Sequence, residues 1–421
     1  MLIHSSSQLL TIAGPAQRGR QLGNLGIIEN GAVLIEDGVI VAVGPSEEMR
    51  KIYAEDEQFD AKGHVVMPGF VDPHTHLVWA GDRAAEFEMR LQGKTYLEIM
   101  ETGGGIVSTV NKTRAASLEQ LLSETRPRLE RMFAYGTTTA EAKTGYGLET
   151  DTELKMLKAI LVLDAEGPLD LLPTFLGAHA IPVEYRDNPE GYTELVCQEM
   201  LPALKNWWTT QFADPEIPPL PFVDVFCERG AFSLDQSHRI LETAKNYGFP
   251  LKIHADEFEN LGGAALAADL GAASADHLVV TSSADIAVLG TSDTVAVSLP
   301  CTPFGLAESH YTPAQELLDA NAILAIATDI NPGTAWNESM QLAIALACRY
   351  MKLTPAQAIV AATLNAAAAI GRQDQIGSVE PGKQADLLIL DTVDYRHLGY
   401  RFGTNLVQAV IKKGHVFYNG V

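Results

Sequence analysis

Eight short runs of β-branched or apolar residues recur between residues 65 and 331, and helical patterns separate them. Such alternation of strand and helix is typical of parallel βα units. Eight units of this kind close into a (β/α)8 TIM barrel. The sequence therefore predicts an α/β fold of the TIM-barrel class, with strands within 65–77, 137–147, 170–181, 222–232, 250–258, 272–279, 294–304 and 323–331.

The helices between these runs carry their own start and stop signals. Capping-box patterns predict helix starts at Ser117 and Ser233, each followed three residues later by a glutamine. Pro127 predicts a kink or break in the first of these helices. Thr354, followed by Pro355, opens a final helix that Gly371 is expected to end.

The patterns at the two ends of the chain predict β-strands. Residues 33–44 form two strand-like runs around Asp37-Gly38, a strong hairpin signal, and 385–391 and 407–420 resemble further strands. We expect one small β-sandwich domain assembled from both termini. The expected boundaries are 1–64 for its N-terminal part, 65–372 for the barrel and 373–421 for its C-terminal part. The proline-rich residues 209–221 are expected to form a surface loop.

Charge and cysteine content narrow the class of partner. The chain has 53 acidic and 30 basic residues, a formal net charge of −23, which disfavours nucleic acid and anionic membrane surfaces. Its four cysteines include no C-x-x-C pair, and neither a signal peptide nor a spanning segment is indicated. We therefore expect a cytoplasmic protein that acts on a small molecule.

Histidines and one aspartate fall at the ends of the predicted strands. His74 and His76 are two residues apart and so share one face of a strand. His254 ends the fifth run and Asp329 the eighth, at the barrel face where TIM-barrel chemistry occurs. Imidazole and carboxylate ligands without thiolate suit zinc or iron(II). The sequence predicts a metal site at this rim.

A metal ion would polarise a carbonyl or imine and lower the pKa of bound water toward ~7. Proton transfer still needs a base. Glu257 at the top of the fifth run and His277 at the end of the sixth are both candidates, and position alone does not choose between them. His179 ends the third run and is expected to face the same mouth.

Six segments of the chain resemble the amidohydrolase superfamily and, within it, the imidazolonepropionases of histidine degradation. The resemblance covers nearly the whole chain and is carried by PGFVDPHTHL, GTTTAEAKTGYGL, FLGAHAIP, IHADEF, ADHL and ATDINPGT. It implies that His74, His76, His254 and Asp329 hold one zinc or iron ion. The fourth run lacks the lysine that bridges two metals in binuclear relatives, which supports a single ion.

The reaction that the resemblance implies is hydrolysis of the ring amide of 4-imidazolone-5-propanoate to N-formimidoyl-L-glutamate, by a homodimer. Glu257 would then move a proton to the leaving nitrogen, while His277 and the metal stabilise the oxyanion; Asp329 counts as both ligand and catalytic residue. Arg83 could supply a bidentate fork to the anionic tail. Further substrate contacts are implied for Tyr146, His179, Glu257, Asn331, Gly333 and Thr334.

Two other functions stay open at this level. The same barrel and metal could deaminate a guanine-like or cytosine-like ring, which ammonia release would reveal. Alternatively, the chain could be a non-catalytic scaffold with a structural metal, which inactivity against a broad heterocycle panel despite full metal loading would reveal.

Overall fold

The computed structural model describes residues 1–94, 104–212 and 219–418, and a parallel sheet of eight strands lies at its centre. Each strand pairs in parallel with the next along the chain. The predicted runs and the TIM-barrel class are confirmed. In chain order, the barrel strands are Phe70–Asp72, Thr137–Lys143, Asp170–Ala178, Phe222–Cys227, Lys252–Ala255, Ser274–His277, Val295–Ser298 and Leu324–Ile326.

The first and last strands meet through the backbone just beyond their carboxyl ends. The Asp329 amide donates to the His74 carbonyl over 3.2 Å, and the His76 amide donates to the Ile330 carbonyl over 2.9 Å. These two hydrogen bonds join the segments that carry three of the four predicted metal ligands. Barrel closure therefore fixes their spacing.

Most of the helices lie outside the barrel, and none of those described is long and apolar enough to cross a membrane. Short 3-10 segments occur at Gly19–Gln21 and Val183–Tyr185, and a π-helical turn at Val196–Met200. The α-helices are Ser46–Ile52, Ala84–Leu91, Ile106–Ala115, Leu118–Ala134, Thr150–Glu166, Pro189–Leu195, Leu201–Gln211, Leu234–Asn246, Gly263–Leu270, Ser283–Thr291, Cys301–Leu306, Ala314–Asp319, Met340–Tyr350, Pro355–Ala361, Leu364–Ala369 and His397–Tyr400.

The predicted helix starts are confirmed, but the helix around Pro127 is not broken and the final helix is not continuous. Ser117, Ser233 and Thr354 each accept a hydrogen bond from the backbone amide three residues later. The helix Leu118–Ala134 nevertheless runs through Pro127 unbroken, because its buried apolar face packs on the barrel. The final helix is two helices, since Thr363 adopts φ −131° and ψ −94° between them.

Both termini build a β-sandwich of two sheets, whose facing sides share one apolar core. The first sheet has the order Val39–Pro45, Gly31–Glu36, Leu2–His4, Gln58–Asp60, and Asp37-Gly38 turns its hairpin with φ of 48° and 79°. The second has the order His415–Tyr418, Val407–Lys412, Leu387–Leu390, Val65–Pro68, Gln8–Leu10, Ile27–Glu29.

The strand Val65–Pro68 was expected in the barrel but pairs antiparallel with Leu387–Leu390 in the second sheet. Only Phe70–Asp72 of that run is a barrel strand. We therefore propose that the N-terminal part of the sandwich extends to residue 68. Of the expected loop 209–221, residues 209–211 are helical, and 213–218 lie outside the described residues.

The sandwich packs beneath the barrel, at the end where the strands begin. The Lys412 ammonium donates to the Thr138 carbonyl over 2.8 Å and to the Asp170 carboxylate over 2.8 Å, and both residues open barrel strands. Asp386 of the sandwich accepts from the same ammonium over 2.7 Å. The opposite end, where the predicted ligands lie, is left to the βα loops.

Candidate metal centre and active site

Donor atoms of the four predicted metal ligands converge at the carboxyl end of the barrel. Asp329 Oδ1 lies 3.5 Å from both His74 Nε2 and His76 Nε2. His254 Nε2 lies 3.3 Å from His76 Nε2. All four side chains are buried. Residues from strands one, five and eight therefore face one another across a few ångströms.

Buried polar atoms without a partner show that this cluster suits a cation. His74 Nε2 and Asp329 Oδ1 have no hydrogen-bond partner among the described residues, a rare situation for buried polar atoms. Donor atoms of His277 and His179 also come within 4.8 Å of members of the cluster. Nitrogen and carboxylate donors in this number fit a zinc or iron(II) ion.

Burial also sets the protonation of the imidazoles. It is the largest cause that lowers the pKa of His74, His76 and His277 well below 6.5, and the Lys143 ammonium adds to it. These rings are therefore neutral at physiological pH. Only a neutral imidazole has a free lone pair for a metal.

A network of buried charges beneath the cluster, absent from the sequence prediction, orients two of these rings. His74 Nδ1 lies 2.6 Å from Asp276 Oδ2. His254 Nδ1 lies 3.0 Å from Asp224 Oδ2. Each contact at Nδ1 turns the opposite nitrogen, Nε2, toward the cluster.

Lys143 lies at the centre of this network. Its ammonium is 2.6 Å from Glu141 Oε1, 2.8 Å from Asp224 Oδ2 and 3.7 Å from Asp276 Oδ2, and all of these side chains are inaccessible to solvent. Burial alone would lower the pKa of Lys143, but the three carboxylates raise it above its ordinary value. One sequence signal could have found two of these residues: Glu141 and Lys143 are charged side chains at alternating positions of the strand Thr137–Lys143, which is otherwise uncharged.

Glu257 and His277 lie beside the ligands. His277 Nδ1 is 3.7 Å from Glu257 Oε2. Burial, followed by the nearby carboxylates of Asp329 and Glu228, raises the pKa of Glu257 well above 4.5. Glu228 also accepts hydrogen bonds from the two backbone amides that follow Glu257, over 2.9 and 3.2 Å, and so holds the loop in place. A carboxylate with a raised pKa is a stronger base than an ordinary one, which suits it to proton transfer.

Arg83 and the turn 331–334 face each other beside this centre. The Arg83 Nε donates to Thr109 Oγ1 over 2.9 Å. A Cβ on Gly333 would lie 2.6 Å from Arg83 Nη1, so glycine permits the close approach. Asn331 Oδ1 accepts from the Gly333 and Thr334 amides, both over 2.8 Å, and its Nδ2 donates to the Asp329 carbonyl over 2.7 Å. The Asn331 side chain therefore shapes the turn.

Tyr146 and His179 complete the wall near His76. The His179 ring stacks on the His76 ring with centroids 4.8 Å apart, and the Tyr146 ring lies 5.3 Å from that of His179. Gly145 has φ +109°, and a Cβ there would approach His179 Nδ1 to 2.9 Å. Glu153, which sequence reasoning missed, accepts from the amides of Gly145, Gly147 and Leu148, and so holds the loop that carries Tyr146.

A TIM barrel with clustered imidazoles and an aspartate at its rim defines an amidohydrolase-type hydrolase, and family models agree. The "Amidohydrolase family" matches residues 226–417 and, in a second model, 57–105, and an "Imidazolonepropionase-like composite domain, bacteria" matches 31–55. The imidazolonepropionase of Herpetosiphon aurantiacus is 54% identical, covering 99% of this chain and 96% of its own length. That of Chloroflexus aggregans is 50% identical, with 99% and 98% covered. The chain belongs to the imidazolonepropionase family.

Solved structures support the fold alone. The 5-methylcytosine deaminase of Klebsiella pneumoniae, liganded with phosphonocytosine, superimposes with a TM-score of 0.73 at 19% identity, over 100% of this chain and 99% of that one. A zinc-bound adenosine deaminase of Xanthomonas campestris gives 0.68 at 21%, over 99% and 92%. The deaminases are thus far more distant than the imidazolonepropionases.

Proposed function

We propose that the chain opens the ring of 4-imidazolone-5-propanoate to give N-formimidoyl-L-glutamate, using the buried rim cluster as its active site. Membership of the imidazolonepropionase family makes it a hydrolase of the carbon–nitrogen bond in a cyclic amide. The observation that carries the residue assignment is the convergence of four donor atoms beside a carboxyl group of raised pKa.

His74, His76, His254 and Asp329 would hold one divalent cation, zinc or iron. When bound, such a cation supplies Lewis acidity, which polarises a carbonyl group and makes water more acidic. A single ion is favoured because barrel strand four carries no lysine of the kind that bridges two metals in binuclear relatives; the charged residue of that strand is Asp224. Asp224 is already engaged by Lys143 and His254.

Glu257 is proposed to carry the proton. Ring opening adds water to the carbonyl carbon, breaks the bond from that carbon to the ring nitrogen, and places a proton on the nitrogen. Glu257 accepts a proton from the water and delivers it to the leaving nitrogen, a transfer that its raised pKa allows. The neutral His277 ring donates a hydrogen bond to the carbonyl oxygen as negative charge develops there.

The anionic tail is proposed to bind to Arg83 and to the turn 331–334 beside it. Because Arg83 Nε is held by Thr109, its two terminal nitrogens are directed by that contact and can form a fork to a carboxylate. Gly333 and Thr334 would contact the same carboxylate, while Asn331 acts by holding the turn in shape through its hydrogen bonds to their amides. Tyr146 and His179 would contact the ring and tail from the His76 side.

A homodimer in the cytoplasm is proposed from the family resemblance and from the charge and cysteine content of the sequence. Light scattering coupled to size exclusion measures the mass directly. We expect twice the chain mass of 45.4 kDa; a peak at the mass of one chain would contradict the dimer.

Glu257→Gln tests the proton-transfer role, and Glu259→Gln is its matched control. Glu259 lies two residues along the same loop, where its carboxylate pairs with Arg229 and is 39% exposed. Glu257→Gln should keep its metal and lose about 10²-fold or more in kcat, measured by loss of imidazolone absorbance. Glu259→Gln should retain the parental kcat. Near-normal turnover by metal-loaded Glu257→Gln would remove the residue from proton transfer.

Assays with other substrates separate the two alternative functions. Ammonia release from a guanine-like or cytosine-like ring, without imidazolone loss, would point to a deaminase. Inactivity of the metal-loaded chain against a broad panel of heterocycles would point to a scaffold.

A further inference from the structure

A buried arginine beneath the active site connects the two loops that are proposed to bind the substrate tail. Arg128 lies on the helix Leu118–Ala134, and only 3% of its surface is exposed. Its Nη1 donates to the Leu77 carbonyl over 2.9 Å and to the Trp79 carbonyl over 3.2 Å. Both carbonyls belong to the segment 77–83, which follows barrel strand one and ends at Arg83.

The same guanidinium also contacts the loop that follows barrel strand eight. Its Cζ lies 3.4 Å from the centroid of the Trp79 ring and 5.4 Å from that of Trp336. The two indoles meet edge to face, with centroids 4.9 Å apart and planes at 88°. Trp336 is two residues beyond Thr334. Arg128 therefore touches the base of both loops.

Neighbouring residues on the same helix face strengthen the connection. Positions 124, 128 and 131 share one side of a helix. Glu124 accepts from the Gly81 amide over 2.9 Å, and Arg131 donates to Glu338 over 2.9 Å. Trp336 Nε1 donates to the same Glu338 carboxylate over 3.0 Å. About two turns of helix thus hold segment 77–83 on one side and the loop 331–338 on the other.

Packing alone does not account for an arginine at this position. Its nearest carboxylate oxygen, on Glu124, is 3.9 Å away, and burying a charge costs free energy that an apolar side chain would avoid. Two backbone carbonyls and an aromatic face are partners that a planar guanidinium can engage together. The arginine can therefore fix the loops relative to each other, which a methionine or leucine cannot.

We propose that Arg128 is a positioning residue for recognition of the substrate's carboxylate. By holding segment 77–83 and the loop 331–338 at a fixed separation, it keeps the Arg83 guanidinium against the turn at Gly333. This inference rests on the proposed role of Arg83 in binding the tail. Arg128 itself touches neither the metal ligands nor Glu257 among the contacts described above, so its loss should affect binding more than turnover.

The test compares Arg128→Met with Arg126→Met. Methionine keeps the unbranched aliphatic stem and removes the donors, and Arg126 is on the same helix but pairs with Glu166 at the surface. Arg128→Met should raise KM for imidazolonepropionate about tenfold, as expected for weakening charged hydrogen bonds by about 1.4 kcal/mol. In Arg128→Met, we expect kcat and metal content to stay near the parental values. The KM of Arg128→Lys should lie between those of the parent and Arg128→Met, and Arg126→Met should leave KM unchanged.

Arg83→Ala separates failure of this inference from failure of the proposed function. If Arg83→Ala raises KM and Arg128→Met does not, the positioning role is wrong and tail binding by Arg83 stands. If Arg83→Ala leaves KM unchanged, the tail-binding role is wrong and the inference falls with it. In the double variant, KM should match that of Arg83→Ala alone; an additive rise would overturn the proposal, because Arg128 would then act independently of Arg83.

A second variant guards against misfolding of Arg128→Met. Trp336 is 46% exposed, so Trp336→Leu removes the contact between Arg128 and the loop 331–338 and should disturb the folded core less than a change at Arg128 does. It should raise KM with kcat unchanged. A parental KM in folded Trp336→Leu would also overturn the proposal.

Discussion

Replacement of Lys143 by methionine should destabilise the barrel strongly. Methionine has nearly the same length but no charge, so Lys143→Met leaves Glu141, Asp224 and Asp276 buried without the ammonium that lies 2.6, 2.8 and 3.7 Å from them. The next cation, Lys252, is 3.9 Å from Asp276. Removal of one partner from a buried ion pair costs about 3–5 kcal/mol, because the remaining charge is left uncompensated.

This cost converts into a shift of the melting temperature. Unfolding entropy is about 2.1 cal/mol/K per residue, which for 421 residues is about 0.9 kcal/mol/K. The predicted loss is therefore about 3–6 °C in Tm. Chelator-treated protein should be used for calorimetry at one scan rate, so that cation binding does not add to the stability of either protein.

Lys413→Met is the matched control. Lys413 Nζ also lies 2.8 Å from a carboxylate, that of Asp170, but 52% of the lysine side chain is exposed. Asp170 keeps its contact with Lys412 when Lys413 is removed. Exposed ion pairs contribute about 0–1 kcal/mol, so Tm should fall by about 1 °C or less. Equal shifts in the two variants would refute the reasoning, because burial would then make no difference.

Two further predictions concern the metal and the tail. Asp276→Asn removes the negative charge beside His74 Nδ1 and should weaken metal affinity about 10–100-fold. Competition with a chromophoric chelator measures this affinity, and a parental value would show that Asp276 does not support the ligand. Arg83→Ala should raise KM for the anionic substrate, since it removes the proposed fork to the carboxylate, and steady-state kinetics with unchanged KM and kcat/KM would exclude Arg83 from the site.

The barrel could be predicted because its signals are local. Each strand is a short β-branched or apolar run, and the helix starts at Ser117, Ser233 and Thr354 are set by side chains three residues from their partners. Pro127 shows where local rules fail. The packed face of the helix around it outweighs the cost of one proline, and no local pattern reports that packing.

The grouping of the proposed ligands could also be predicted, because His74, His76, His254 and Asp329 all fall at strand ends and the barrel brings those ends together. The network around Lys143 could not be predicted to the same degree. Its partner Asp224 is two strands away, and which inward side chains meet depends on the stagger of strands around the barrel. The contacts of Arg128 are harder still to predict, because its partners come from two separate segments of the chain, 77–83 and 331–338.

Metal reconstitution tests the central claim, that one cation at the rim cluster is needed for ring opening. Chelated enzyme would receive zinc or iron(II) in measured equivalents while imidazolone loss is followed. Activity should be absent without metal and should rise to a plateau at one ion per chain, and His254→Ala should not recover at that stoichiometry. Full activity in the metal-free chain, or a plateau at two ions, would contradict the account.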